Sequence, residues 1–336
     1  MPPRRANHCE EIGAWASMSP MKIWRRPILF GVIVTLGVLG ALKLHNANAQ
    51  TTGAVAASQK PLYARLAWKR MSPSDLEIGG DLFGLLPHEF NNTRYITREQ
   101  LLAMPKVDFT VANDANFNGS TEVTGVELDQ LVQALFPEPN SAILVVARCS
   151  DQYEAHFPKD YITAHHPVLV LKINGKDPAE WPKAPGGYFN MGPYVISTPD
   201  FKPSFKILSY EDEPQIPWGV IRLDFRTEAK VFLAIQPRMP GAASREVQDG
   251  FRIAQQNCFR CHNSELEGGM KASVSWSQLG TLAALSPETF QAYVHDPKSK
   301  TPNPAMPGFP NYDEATLHAL TKYFQTFADD KRSGQP

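Results

Sequence analysis

Apolar positions along this chain keep two rhythms, and the rhythm changes near residue 240. Between about residue 60 and 235 the dominant pattern is short apolar runs: "KVDFTVA", "AILVVARC", "VLVLKI" and "GVIRLDF". Runs of this length, rich in Val, Ile and Phe and bounded by turn residues, predict strands. Two stretches in the same region repeat instead at helical spacing. "YITREQLLAM" carries Ile96, Leu101 and Leu102, with Thr97 as N-cap candidate. "VELDQLVQALF" does the same with Val126, Leu128, Leu131, Val132 and Leu135. Breaks such as "DPAEWPKAPGG" and "DEPQIPW" separate these runs. Strands with helices interspersed irregularly predict an α+β unit over 61–235.

Residues 236–243 read as a linker, and beyond them the strand-like runs stop. "SREVQDGFRIAQQN" is helical with Ser244 as N-cap candidate. "SPETFQAYVHD" places Ser286 at a cap and Pro287 at the first helical position. "YDEATLHALTKYFQTF" puts Leu317, Leu320, Phe324 and Phe327 on one helical face. The pattern therefore predicts an all-helical domain over 244–328, followed by a polar tail at 329–336.

The N-terminus changes the picture by assigning a compartment. "MKIWRRPILFGVIVTLGVLGALKLHNANAQ" opens at Met21 with Lys22, Arg25 and Arg26. An apolar run from Ile28 to Leu42 follows, then Ala47-Asn48-Ala49. That is a charged region, an apolar region and a small-residue cleavage signal. Residues 1–49 are expected to be a signal peptide, with Met21 (or Met18) as the true start and 50–60 as a flexible leader. The apolar run is shorter than the roughly 20 residues of a bilayer span. The competing expectation is an uncleaved single-helix anchor ended by Lys43 and His45, which would tether the protein to the membrane. Cleavage would leave 27 basic and 32 acidic residues.

Length and charge add limits. A chain of 336 residues suggests two folded units. A formal net charge of −1 gives no reason to expect a nucleic-acid partner. Four cysteines, Cys9, Cys149, Cys258 and Cys261, are too few for a disulfide scaffold.

Chemistry concentrates in "QNCFRCHNSE". A C-x-x-C pair serves redox disulfides, zinc sites and covalent haem. The histidine that follows at once favours haem. Two intervening residues place both sulfurs on one turn facing one porphyrin edge, and His262 then presents an imidazole to the iron. Zinc would need further ligands at short spacing, and no other cysteine lies in this domain. A redox pair would prefer a βαβ context. One covalent haem c on Cys258 and Cys261, with His262 on the iron, is the expectation.

Residues 244–328 resemble a class I cytochrome c domain. "DGFRIAQQNCFRCH" is similar to the family's first helix and attachment motif, with Gly250-Phe251 where that helix crosses the last one. "NPAMPGFPNYDEATLHALTKYF" resembles its methionine loop and last helix. The resemblance implies Met306 as sixth iron ligand, 44 residues after His262. Met270 lies too near His262 to reach the opposite face easily, and His295 and His318 are expected on the surface. The family's usual proline after the motif is absent from "NSELEGGMKASVSWSQLG". A carbonyl near Ser273–Trp276 is expected to orient the His262 Nδ1–H instead. Trp276 is either a haem-edge residue or a core tryptophan.

Residues 61–235 resemble the molybdopterin-binding domain of the sulfite oxidase family through pieces in family order. These are "DLEIGG", "YITREQLLAMPKVDFTVA", "EVTGVELDQLVQAL", "ARCSDQYEAHFP", "PVLVLKINGKD" and "MGPYVISTPDF". Where the family has its molybdenum-binding cysteine, this chain has Asn113 or Asp114. Gln152 stands where the family has glycine. Cys149 is expected to be a buried small hydrophobe. "AHH" at Ala164–His166, with His156 nearby, could suggest a metal, but no ligand spacing supports a site and plain surface is expected. "YEDE" at Tyr210–Glu213 is expected to be a solvated face. Molybdopterin is therefore not expected. The reading is a multidomain periplasmic c-type cytochrome, an α+β sulfite-oxidase-like domain followed by an all-α cytochrome c domain, serving periplasmic redox partner proteins. The alternative is a molybdopterin-dependent oxidoreductase that passes electrons to its own haem.

Overall fold

The computed structural model describes residues 62–81, 93–112, 117, 119–136, 143–183, 190–239 and 241–328. The expected signal segment, leader and tail, and the Asn113/Asp114 position, lie outside the described residues. All described residues belong to one compact unit, Ala57–Pro336. Among them, no helix is long and apolar enough to cross a membrane.

The front half is rich in sheet. Strands β1 (Leu76–Gly79), β2 (Arg94–Ile96), β5 (Ile143–Cys149), β6 (Glu154–Pro158) and β11 (Val220–Thr227) form a five-stranded sheet in the order β2-β1-β11-β5-β6. Within it β1 runs parallel to β11, and the other pairs are antiparallel. Strands β3 (Val107–Val111), β4 (Thr121–Glu127), β7 (Val168–Ile173) and β8 (Val195–Ser197) form an antiparallel sheet in that order. A hairpin of β9 (Lys206–Ile207) and β10 (Tyr210–Glu211) stands apart from both. Helices α1 (Arg98–Leu102), α2 (Leu128–Leu135), α3 (Lys159–His165) and α4 (Glu228–Leu233) are short. The Thr97 cap forms as expected, as a capping box with Gln100.

The back half contains α5 (Arg245–Asn257), α6 (Trp276–Leu285), α7 (Pro287–His295) and α8 (Glu314–Gln325). Ser244 caps α5 by accepting from the Val247 amide at 3.3 Å. Ser286 stands at the start of α7 but bonds the Thr289 hydroxyl, at 2.7 Å, rather than a backbone amide.

β5 connects the two halves because it is apolar on both faces. Ile143, Val145, Ala147 and Cys149 enter the core of the front half. Leu144 and Val146 point the other way and join Val231, Phe232 and Ile235 in a second core, shared with Phe251, Phe259, Trp276 and Phe324 of the helical half. The boundary expected at 236–243 is thus bridged by continuous packing. Arg238 in that stretch pairs with Glu265 at 2.9 Å, and its amide donates to the Thr326 hydroxyl at 3.2 Å. The Tyr323 hydroxyl donates to the Ile235 carbonyl at 2.5 Å.

Gly250 lets α5 and α8 touch. A Cβ at that position would lie 2.1 Å from the Ala319 carbonyl oxygen. Phe251 beside it packs on Tyr323, with ring centroids 5.8 Å apart. Alanine is intrinsically the better helix former by about 1 kcal/mol. Gly250→Ala is nonetheless expected to destabilise by about 1–3 kcal/mol, because the backbones must separate. Chemical denaturation of the two proteins measures the difference, and an unchanged midpoint would refute the close approach.

Candidate functional site

The "CFRCH" segment folds as one tight turn at the end of α5. The amides of Cys261 and His262 both donate to the Cys258 carbonyl, at 3.2 and 2.9 Å. Neither cysteine is in a disulfide. Burial pushes the Cys258 thiol up to about 12 and raises Cys261 as well.

His262 is oriented by the main chain. Its Nδ1 lies 2.6 Å from the Val274 carbonyl. A carbonyl only accepts, so Nδ1 carries the proton and Nε2 keeps its lone pair for a metal. Val274 falls within the Ser273–Trp276 stretch expected to supply this carbonyl. Burial also lowers the imidazole's proton affinity, which keeps it neutral. The chain closes on the turn through two glycines. The Gly269 amide donates to the Phe259 carbonyl at 2.9 Å, and a Cβ on Gly269 would lie 1.9 Å from the Arg260 carbonyl oxygen.

Met306 is half-buried and packs, with Cys258 and Phe309, against the second core. Its loop is tied to the attachment helix. Asn257, the residue before Cys258, donates to the Tyr312 hydroxyl at 2.6 Å, and Tyr312 stacks on Phe309 at 4.9 Å. Met270 is largely exposed. His318 is exposed and bonded to Glu246, whereas His295 is half-buried. Trp276 is a core residue, 1% exposed, with its Nε1 donating to the Tyr323 hydroxyl at 3.1 Å. A pair of thiols on one turn, an imidazole with a free Nε2 and a nearby thioether form a donor set that fits a c-type haem. Among the described residues, no cluster of three or more His, Cys, Asp or Glu could hold another metal ion.

The Cys258–His262 turn is docked into the front half. The Glu154 amide of β6 donates to the Arg260 carbonyl, and the Met270 amide donates to the Gln152 carbonyl, both at 2.9 Å. Lys271 pairs with Asp151 at 2.6 Å, and Arg226 grips Glu267 at 2.7 and 3.1 Å. Gln152 adopts a left-handed φ of 69°. That conformation is one that favours glycine.

Several placements differ from the sequence reading. His165 is buried, not on the surface: its Nε2 lies 3.0 Å from Asp212 Oδ2, and its ring stacks on Phe201 at 4.5 Å. The "YEDE" run is only half solvated, since Tyr210 and Asp212 are buried while Glu211 and Glu213 are exposed. Cys149 is buried in the first core, and desolvation holds its thiol far above the thiolate range.

Two features were missed. The first is a set of arginines on the face of the five-stranded sheet. Arg222, Asp224 and Arg226 alternate along β11, and Arg148 lies opposite Arg222 on β5. With Gly80, Asp81 and Thr93 they line a cavity of about 530 Å³. Arg148 reaches Asp224, at 2.5 Å, and Glu154. Arg222 reaches Asp224, at 2.6 Å, and Glu77. Arg226 reaches Asp81, at 3.0 Å, and Glu267. Each guanidinium therefore meets two carboxylates. The period of two in "IRLDFR" is the signal that could have found the β11 members.

The second is His156. It is 4% exposed, both ring nitrogens lack a hydrogen-bond partner, and it stacks on Phe259 at 5.0 Å. The sequence marked it only as a histidine near the His165–His166 pair, not as a buried one.

Residues 245–324 match the family model described as Cytochrome C oxidase, cbb3-type, subunit III. The C-terminal region matches a cytochrome c domain. The match supports haem-based electron transfer. No curated protein matches the chain.

Burial lowers the pKa of His156 to about 3 from its usual 6.5. Glu154 Oε2, 3.6 Å away, does not restore it, because that carboxylate already serves Arg148. The unfolded chain therefore takes up this proton first as the pH falls. The contribution to stability is intact above about pH 6.5 and is lost towards pH 3, at about 1.4 kcal/mol per unit. His156→Phe is expected to keep the stack and remove that slope. Denaturant midpoints at several pH values should diverge between the two proteins only below pH 6.5, and parallel curves would refute the assignment.

Proposed function

We propose that this is an exported electron-transfer protein with one covalent haem on Cys258 and Cys261, and with His262 and Met306 as axial ligands. The observation that carries the reading is His262. Its Nδ1–H is committed to the Val274 carbonyl, and its Nε2 stands free beside two unpaired thiols on the same turn. The haem, when bound, would accept and release one electron at a time. The chain's own residues hold it: two thiols fix it covalently, Val274 orients the imidazole, and the loop tied by Tyr312 offers the thioether. Prolines 302, 304, 307 and 310 stiffen that loop and reduce the entropy lost on ligation. The N-terminal export pattern supports a periplasmic setting, with membrane tethering if the segment is uncleaved.

The front half is proposed to be a sulfite-oxidase-like domain that positions the haem module rather than a complete molybdenum enzyme. Its one described thiol, Cys149, points into an apolar core and is held protonated, so it is unsuited to ligate a metal.

Three measurements test this. Purified, fully matured protein is expected to contain one iron per chain and no stoichiometric molybdenum, and sulfite is expected to leave the haem oxidised. Stoichiometric molybdenum, or reduction of the haem by sulfite, would replace the reading with the oxidoreductase one. Haem is expected to stay with the denatured chain in acidified organic solvent, and to be lost when Cys258 and Cys261 are both changed to Ala. Met306→Ala is expected to abolish the weak long-wavelength band of thioether-ligated ferric haem, to admit carbon monoxide and to lower the potential. An unchanged spectrum and unchanged carbon monoxide binding would move the sixth ligand to another residue, Met270 first.

A further inference from the structure

The residue between Phe259 and Cys261 carries a charge that makes no salt bridge among the described residues. Arg260 is half-buried as a residue, but its Nε and Nη2 are closed to solvent and have no hydrogen-bond partner among the described residues. These two nitrogens form the side of the guanidinium that would pair with a carboxylate. The contrast within this molecule is direct, because Arg148, Arg222 and Arg226 each meet two carboxylates.

The groups that feel the Arg260 charge are the phenols of Tyr153, Tyr210 and Tyr161, and the carboxyl of Glu213. Burial holds the three hydroxyls protonated, and Glu213 is exposed. His156, on the neighbouring face of the turn, is neutral as well. A guanidinium cannot shed its proton to escape such a place. The front half holds it there: Glu154 pins the Arg260 carbonyl, and Gly269 closes over it.

We propose that Arg260 is a fixed, uncompensated cation that raises the reduction potential of the haem, and that the front domain keeps it desolvated for that purpose. The inference rests on the haem reading above. Arg260 lies between the two attachment cysteines, so its charge stays within one side chain's reach of the porphyrin edge. Ferric haem carries one more positive charge than ferrous haem. A nearby cation therefore disfavours the oxidised form, and a water-free setting strengthens the effect. A solvated lysine or arginine at this position in a bare cytochrome would be screened.

The test is a redox titration of the holoprotein, after absorption has shown equal covalent haem and an unchanged axial spectrum in every variant. Absent haem would count against the preceding section; an altered potential with haem in place concerns Arg260. Arg260→Gln is expected to shift the oxidation equilibrium at least tenfold towards ferric, 59 mV for a one-electron couple. Arg260→Lys, titrated at mildly acid pH where the ammonium keeps its proton, is expected to retain most of the wild-type potential. A potential unchanged in Arg260→Gln overturns the proposal. So does an equal fall in Arg260→Lys, which would assign the effect to packing rather than charge. Should Arg260→Gln fail to fold, Glu213→Gln on the surface serves instead. At low ionic strength it is expected to raise the potential, and no rise would also overturn the proposal.

Discussion

The seating of the Cys258–His262 turn against the β5–β6 hairpin is the constraint on which the rest of this structure depends. Two backbone hydrogen bonds, Glu154 to Arg260 and Met270 to Gln152, fix the register between the halves. Of the side chains between the cysteines, Phe259 is then fully buried and Arg260 half-buried, with its Nε and Nη2 closed to solvent. Phe259 goes under His156 and beside Phe232, and Arg260 goes among tyrosines. Leu144 and Val146 supply the apolar floor because β5 is buried on both faces. A small helical bundle has little core of its own. Here it is completed by residues of β5, the β9–β10 hairpin and α4 of the front half.

That arrangement has electrostatic consequences. Where carboxylates are at hand, as around Arg148, Arg222 and Arg226, charges are paired in alternation and the local sum stays small. Where the Cys258–His262 turn meets the front half, the buried carboxylate at hand, Glu154, is already taken by Arg148, so His156 stays neutral while Arg260 stays charged. The difference follows from chemistry, since an imidazole releases its proton when desolvated and a guanidinium does not. The interface thus contains one titrating strain and one permanent charge, both next to the residues that fit haem.

Much of the secondary structure was legible. The strands in "AILVVARC" and "VLVLKI", the helix in "VELDQLVQALF" and the Ser244 and Thr97 caps follow from local periodicity and short-range hydrogen bonds. The substitute carbonyl for His262 was legible to within a few residues, because a metal-binding histidine needs an acceptor for its second nitrogen and the intervening chain is short. His165 and Asp212 were misjudged as surface. Their burial depends on finding each other across 47 residues, and no local pattern encodes that. The arginine cluster was missed for the same reason, since Arg148 and Arg222 meet only once β5 pairs with β11.

By itself the sequence determined that Cys258, Cys261 and His262 come together. Two thiols and an imidazole at that spacing share one turn in any helical setting, so their juxtaposition needs no long-range contact. It also determined that Cys149 follows an apolar run and belongs inside. Only the tertiary structure decided what the motif faces. Which residues become desolvated is set by the packing of distant segments, and desolvation sets the charge on His156 and the isolation of Arg260. Coulomb energy depends on the surroundings of a group as much as on its identity, and the surroundings exist only after the chain has folded.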